Sequence, residues 1–296
     1  AINRLRIVGR QLGDQLIDLL VDEEISIGHG VVAPHLFERP LDRLVGPALV
    51  PDLRDPGRIE RVAKCLDEAG PIISNREYRT VSGKYKNTWL TVMATGMGPD
   101  NTEMAVVELS QIVKNPAFIR LGTSGGLQED IEIGELVIST GAVRLENTST
   151  YFVHEGYPAL ANHEVILALT ESAAAQNAQF RLGITATASG FYGVQGRNVP
   201  GFPPRYADVP EQLAKMGVLN FEMETSTLFS LATLSGARAG SICSVIANRP
   251  KNTFIDAATK SECEEKLFTI GFNALHTLDK MDQKKSACNS PYWLPS

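Results

Sequence analysis

Apolar and polar positions along the chain switch repeatedly between two periods. Residues 4–22 carry Leu5, Val8, Leu12, Leu16, Leu19 and Leu20 at helical spacing with charges between them, which predicts an amphipathic helix. Residues 47–51 read as a short strand. Asp55-Pro56-Gly57-Arg58 then opens a helix to about residue 69, with Asp as the N-cap and Pro at the first helical position. Strands at 78–81 and 89–94, joined by a turn around Gly83, lead through the loop 95–101 to a helix over 101–113. Further strands at 117–121, 136–143 and 182–188 accompany a helix over 163–176. The short apolar run Gly217-Val218-Leu219-Asn220-Phe221 reads as a buried strand that meets Glu222 and Glu224 and passes into a helix stopped by Gly236. A strand over 237–248 and a helix over 257–278 complete the pattern. Strands interleaved with helices predict an α/β fold, a single domain with a mixed, twisted central β-sheet flanked by helices. Residues 1–30 read as an N-terminal helical extension, 31–281 as the α/β domain and 282–296 as a loosely held tail.

Composition narrows the partners. With 296 residues, 43% of them hydrophobic, the chain can bury a full core, and no linker divides it. The formal net charge is -6 and no Lys/Arg block stands out, which argues against nucleic acid or an anionic membrane surface as partner. An anion would have to be held by individual arginines. Cys65, Cys243, Cys263 and Cys288 lie far apart with no Cys-x-x-Cys, the usage of reduced thiols in a cytoplasmic protein and not of a disulfide frame or zinc site. The first residues lack a signal peptide's apolar core, and no run approaches the roughly 20 apolar residues of a membrane helix. The expectation is a soluble, cytoplasmic protein.

Four stretches carry candidate chemistry. Glu222 and Glu224, two positions apart, reach one cleft only if the chain is still extended there, and a carboxylate in such a cleft accepts hydrogen bonds from neighbouring sugar hydroxyls. The alternative is that both acids simply favour the positive end of the helix dipole that follows. Arg120 stands within an apolar strand, where a charge is costly unless an anion or a structural acid meets it. The donors of Gly122-Thr123-Ser124-Gly125-Gly126 come immediately after it. Arg58 falls in the first turn of its helix, the geometry of an anion site as well as of a capped surface helix with a solvated Arg. Finally, Phe191-Tyr192-Gly193-Val194-Gln195-Gly196-Arg197 offers an aromatic face for a planar base, Gln195 with both acceptor and donors, and Arg197 with donors only.

Asn220-Phe221-Glu222-Met223-Glu224-Thr225-Ser226-Thr227-Leu228, together with the 191–197 motif and Ile119-Arg120-Leu121-Gly122-Thr123-Ser124-Gly125, resembles the nucleoside phosphorylase family in its uridine phosphorylase branch, over about residues 35–278. The resemblance implies phosphate binding by Arg58, Arg120 and Thr123, and by Arg76 reaching across a dimer interface to the neighbour's phosphate. It implies ribose binding by Glu222, Met223, Glu224 and Thr123, with His35 of Pro34-His35-Leu36 reaching a neighbour's sugar 5′-hydroxyl. Phe191, Gln195, Arg197 and Arg249 would hold a pyrimidine, and Gln195, Arg197 and Glu224 would carry the chemistry. Ala247 falls where purine-specific relatives have an aspartate. Glu77 corresponds to a residue that helps hold a cation between subunits. One departure stands out: Pro51-Asp52-Leu53-Arg54-Asp55-Pro56 is longer than the family's Pro-Gly-Asp-Pro turn and lacks its glycine, with Arg54 as a substitute donor.

The implied reaction is reversible phosphorolysis of uridine to uracil and ribose 1-phosphate, with inorganic phosphate as co-substrate, no cofactor, and a homodimer or higher homo-oligomer sharing its sites. Two alternatives remain open: a related phosphorylase or nucleosidase of other base specificity, and a catalytically silent nucleoside-binding homologue. A dinucleotide oxidoreductase is disfavoured, since no Gly-x-Gly-x-x-Gly follows the first strand.

Overall fold

The structure is a computed structural model and describes residues 58–294 together with the two-residue strand β1, Ala48–Leu49. The helix expected at 4–22, His35, the loop at 52–54 and the Asp55 cap lie outside the described residues.

After β1 the chain forms α1 (Arg58–Lys64), β2 (Glu68–Ala69), β3 (Ile73–Asn75), β4 (Tyr78–Tyr85), β5 (Thr88–Ala94), α2 (Pro99–Ile112), β6 (Ala117–Gly126) and β7 (Leu136–Leu145). There follow β8 (Ala159–Leu160), α3 (His163–Ala175), β9 (Phe180–Ala188), α4 (Val209–Lys215), β10 (Asn220–Glu222), α5 (Thr225–Ser235), β11 (Arg238–Asn248), β12 (Thr253–Phe254) and α6 (Ala257–Ala287). The strands join in one mixed sheet, as the alternating pattern predicts. The sheet also curls on itself: β6 pairs with both β10 and β11, so β6, β11, β7, β9 and β10 close a ring. Strand β6 is therefore enclosed on both edges, which explains why nine of its ten residues are buried.

Helices cover the two faces. Helices α1, α3 and α6 pack with Ile119 and Leu121 of β6 into the largest apolar cluster, while α2 and α5 pack with Phe118 into a second on the opposite side. Gly271 of α6 lets that helix settle on the sheet, since a Cβ there would stand 2.6 Å from Leu121. Among the described residues no helix is long and apolar enough to cross a membrane.

Four boundaries differ from the sequence expectation. Strand β6 runs on through Gly126, because residues 122–126 pair with β11 and β10, so the Gly/Thr/Ser stretch expected beyond a strand ending at residue 121 is itself strand. Gly83 is not the turn between β4 and β5. It lies inside β4 because the carbonyl of Glu68 on β2 would be 2.2 Å from any Cβ, and the turn is made by Lys86 and Asn87 at φ 48° and 67°. Helix α1 ends at Lys64 because the chain must turn to add β2 to that edge. The tail expected to start at residue 282 begins later: α6 runs to Ala287, and Asp282 is bound by Arg238 Nη2 at 2.6 Å. Lys285 reaches buried Glu164, whose Oε1 also accepts the Trp293 amide at 3.3 Å. Polar residues that read as a solvated tail are thus the partners of acids and arginines on α3 and β11, a tertiary match invisible to local composition.

Candidate active site

Strand β10 pairs antiparallel with the end of β6, Asn220 opposite Gly126 and Phe221 opposite Gly125. The chain beyond Phe221 therefore runs back along β6 toward Arg120. This pairing explains how residues a hundred positions apart meet. Arg120 is 2% exposed. Its guanidinium lies along β6 over Gly122, where a Cβ would stand 1.9 Å from Nη1. Nη1 donates to Cys243 Sγ at 2.7 Å, Cys243 being the residue of β11 paired with Gly122. Nη2 donates to Glu224 Oε2 at 2.5 Å and lies 3.2 Å from Glu222 Oε2. Both carboxylates converge on one guanidinium, which compensates the cost of burying its charge.

The two acids nevertheless have different duties. Glu222 Oε2 accepts from the amides of Glu224 at 2.8 Å and Thr225 at 2.9 Å, which caps the start of α5. Its Oε1 accepts from Thr187 Oγ1, which in turn accepts the Ser226 amide at 2.8 Å. Glu222 is thus a helix cap in this structure. Glu224 Oε1 instead accepts the Gly98 amide at 2.6 Å, tying the 95–98 loop to the corner. Met223 between them is buried.

Thr123 is buried on the face of β6 that it shares with Leu121, opposite to that of Arg120. On that side Arg58 is held by Glu264 of α6, a buried carboxylate that also binds Arg61. The structure thus gives Arg58 and Arg120 separate acids on opposite faces of the sheet. Arg76 forms the tip of the two-residue connection between β3 and β4 at φ 53°, a conformation that strains a residue with a side chain. Glu77 follows it. Among the described residues no three His, Cys, Asp or Glu side chains are grouped to hold a metal ion.

The base-reading candidates do assemble. Gly196 at φ 64° has the Ala207 carbonyl 2.7 Å from where a Cβ would be, so only glycine fits between Gln195 and Arg197. Arg197 Cζ stacks 4.1 Å from the centre of the Phe191 ring, so this guanidinium covers the face offered to a base. Arg249, one residue beyond β11, packs over Gly125 and donates to Gln195 twice, to the backbone oxygen at 2.5 Å and to Oε1 at 3.2 Å. Burial, with Arg197 nearby, pulls the Arg249 guanidinium down to about 10, and burial lowers Arg197 as well. Two cations that are costly to keep charged make a place where negative charge is welcome. Ala247 lies on β11 beside Gly125, with no carboxyl to offer.

Sequence reasoning gave no site role to Cys243, Gly98 or Glu264, and took Ser124 only as one of the donors that follow Arg120. Ser124, whose buried hydroxyl has no hydrogen-bond partner among the described residues, shares the face of Arg120. Its place among the hydroxyl residues following Arg120 was a usable signal. Glu264 lies in a helical run with nothing local to mark it.

Comparison with known proteins gives the family. Residues 53–271 match the family model described as the phosphorylase superfamily. The chain is 40% identical over 243 residues to a uridine phosphorylase of Thermococcus kodakarensis, covering 81% of this chain and 86% of that protein. It is 34% identical to a uridine phosphorylase of Escherichia coli, covering 78% and 91%. It is also 33% identical to a guanosine phosphorylase of Halorubrum lacusprofundi, covering 74% and 85%. A site that joins a buried arginine to a carboxylate corner and an amide clamped by guanidinium, on a chain matched over so much of its length, places this protein in the phosphorylase superfamily.

Proposed function

We propose that the chain catalyses reversible phosphorolysis of uridine, giving uracil and ribose 1-phosphate. The observation that carries the reading is the pairing of Glu224 with Arg120, close to the clamp of Arg249 on Gln195. A sugar hydroxyl can donate to the remaining lone pairs of Glu224 while Arg120 faces the anion that attacks C1′ of that sugar. Phosphate forms a bond to C1′ as the bond from C1′ to N1 of the base breaks, and the electron pair leaves with the base. Arg197 and Arg249 stabilise that negative charge, and a proton from solvent completes uracil. Met223 and Glu224 hold the pentose so that attack is in line.

Phosphate would be gathered past the end of β6, where Arg120 and Thr123 can meet from the two faces and Arg58 would turn from Glu264 to join them, with Arg76 supplied by a second copy of the chain. The left-handed backbone of Arg76 at a turn tip supports this, because such strain is kept where a side chain must be projected. His35 would serve the neighbour's ribose, and at least a dimer follows. The guanosine phosphorylase relative favours a second reading, a purine substrate. Against it stands Ala247, since a departing purine would lack a carboxylic acid there.

The test is to supply the purified chain with uridine or guanosine, with and without phosphate, and follow release of free base. Uracil release that requires phosphate is expected. Release without phosphate, or from guanosine alone, refutes the proposal.

A further inference from the structure

The seat of Arg120 has a second wall, contributed by β11. A guanidinium only donates hydrogen bonds, so each neighbour that fixes its direction must accept. Nη2 is held by the acid corner, on Glu224 Oε2 at 2.5 Å and 3.2 Å from Glu222 Oε2. Nη1, on the other side of the guanidinium, donates to Cys243 Sγ at 2.7 Å. Cys243 is fully buried and pairs in register with Gly122, so its sulfur meets Nη1 beside the residue of β6 whose missing side chain leaves room for the arginine.

Because the sulfur accepts from Arg120, its own hydrogen points elsewhere. Ser241, two residues back on β11 and so on the same face, has its Oγ 3.9 Å from Cys243 Sγ. That hydroxyl lies 2.9 Å from Thr225 Oγ1. Thr225 opens α5 directly after Glu224, and its amide is capped by Glu222 Oε2 at 2.9 Å. These contacts form a closed circuit: from the guanidinium through β11 they return to the corner whose acids hold its other side. Rotating the guanidinium breaks the circuit at the sulfur and at the carboxylate together.

We propose that Cys243 is a positioning residue for phosphate binding: its sulfur fixes the direction of Arg120 and gives up Nη1 when an anion arrives. The proposal rests on Arg120 binding phosphate, as proposed above. Two carboxylates already face this cation, and a third strong acceptor at Nη1 would compete with an incoming anion. A thiol sulfur accepts weakly, whereas a phosphate oxygen takes a charge-assisted bond from a guanidinium. Nη1 is therefore kept in line, which lowers the cost of ordering it on binding, yet it passes readily to the stronger acceptor.

The experiment is calorimetric titration of inorganic phosphate into the full chain, for the parent, Cys243→Ala and Cys243→Ser. Uracil is titrated in parallel at saturating phosphate, and all titrations run below the lowest melting temperature of the three. Alanine and serine leave a similar gap where the sulfur was, but only serine keeps an acceptor there. Cys243→Ala should weaken phosphate binding about fivefold, the scale of one net hydrogen bond, while uracil affinity stays within about twofold of the parent's. Cys243→Ser should recover phosphate affinity to within about twofold of the parent's. Phosphate constants that are the same for Cys243→Ala and Cys243→Ser, or an equal loss of uracil affinity, would show that the sulfur only fills space and overturn the proposal. A parent chain that binds no phosphate would instead remove Arg120 from the anion site and the proposal with it, so the two failures are told apart.

Discussion

The Arg120 guanidinium occupies the space that a side chain at Gly122 would fill, with Nη1 only 1.9 Å from the position of the missing Cβ. Gly122 is therefore part of the arginine's seat. We expect Gly122→Ala to displace Arg120 from Glu224 and Cys243 and to cost at least about 1–3 kcal/mol, the scale of overpacking a filled interior. Thermal unfolding should show a lower Tm together with loss of turnover. A variant with parental Tm and rate would show that the guanidinium can sit elsewhere at no cost.

Glu222 and Glu224 are one residue apart in sequence but should respond oppositely to loss of charge. Glu222→Gln weakens the cap of α5 and should lower stability by about 1 kcal/mol while leaving much of the activity. Glu224→Gln removes the anion facing Arg120 and the sugar, and should lower kcat/KM by about a hundredfold or more. Paired denaturation curves and rates decide it. Equal effects of both on activity would return Glu222 to the substrate site.

Arg58→Ala should raise the KM for phosphate by about tenfold, the order of one lost charge-assisted hydrogen bond, with the KM for uridine little changed. It also strips buried Glu264 of a partner, so stability should fall as well. Glu264→Gln separates the effects: it should restore stability to the Arg58→Ala background without restoring phosphate affinity. An unchanged phosphate KM in Arg58→Ala would remove Arg58 from the site.

Acid should release the end of α6 before the rest of the fold. Burial raises the Asp282 carboxyl, but hydrogen bonds from Arg238 and Lys285 outweigh it, so the net shift is downward. A depressed carboxylate contributes stability above its unfolded value of about 4 and loses it as pH falls through the lower folded value. Below about pH 4 the Trp293 environment should therefore change, and Asp282→Asn should show that change already at neutral pH. Fluorescence of a Trp89→Phe variant, in which Trp293 alone reports, follows it directly.

Arg197→Ala should lower kcat/KM for uridine by about a hundredfold by removing a donor that meets the charge on the departing base. Phosphate KM should stay near the parental value. Rates measured at varied phosphate and varied uridine separate the two, and an unchanged uridine rate would remove Arg197 from the base site.

How much was legible beforehand differs from residue to residue. The α5 helix, its stop at Gly236 with φ 75° and the strand before it follow from local apolar spacing and one glycine, information that neighbours in sequence carry. Arg120 announced that it needed a partner because a charge in an apolar strand is costly wherever it lies. Gly83, by contrast, reads locally as a turn and proved to be a point where two strands crowd, because the crowding atom belongs to Glu68. The tail from residue 282 read as solvated because its partners, Glu164 and Arg238, are contributed by α3 and β11.

From its amino-acid order alone this protein declared its alternating elements, its charged strand and its paired acids, since these depend on spacing within a few residues. Which acid caps a helix and which holds the Gly98 amide, and that one guanidinium grips Gln195 at both its oxygens, were decided only in the folded chain. These arrangements depend on the antiparallel return of β10 along β6 and on the placing of Arg249 over Gly125, contacts between segments that no local pattern encodes.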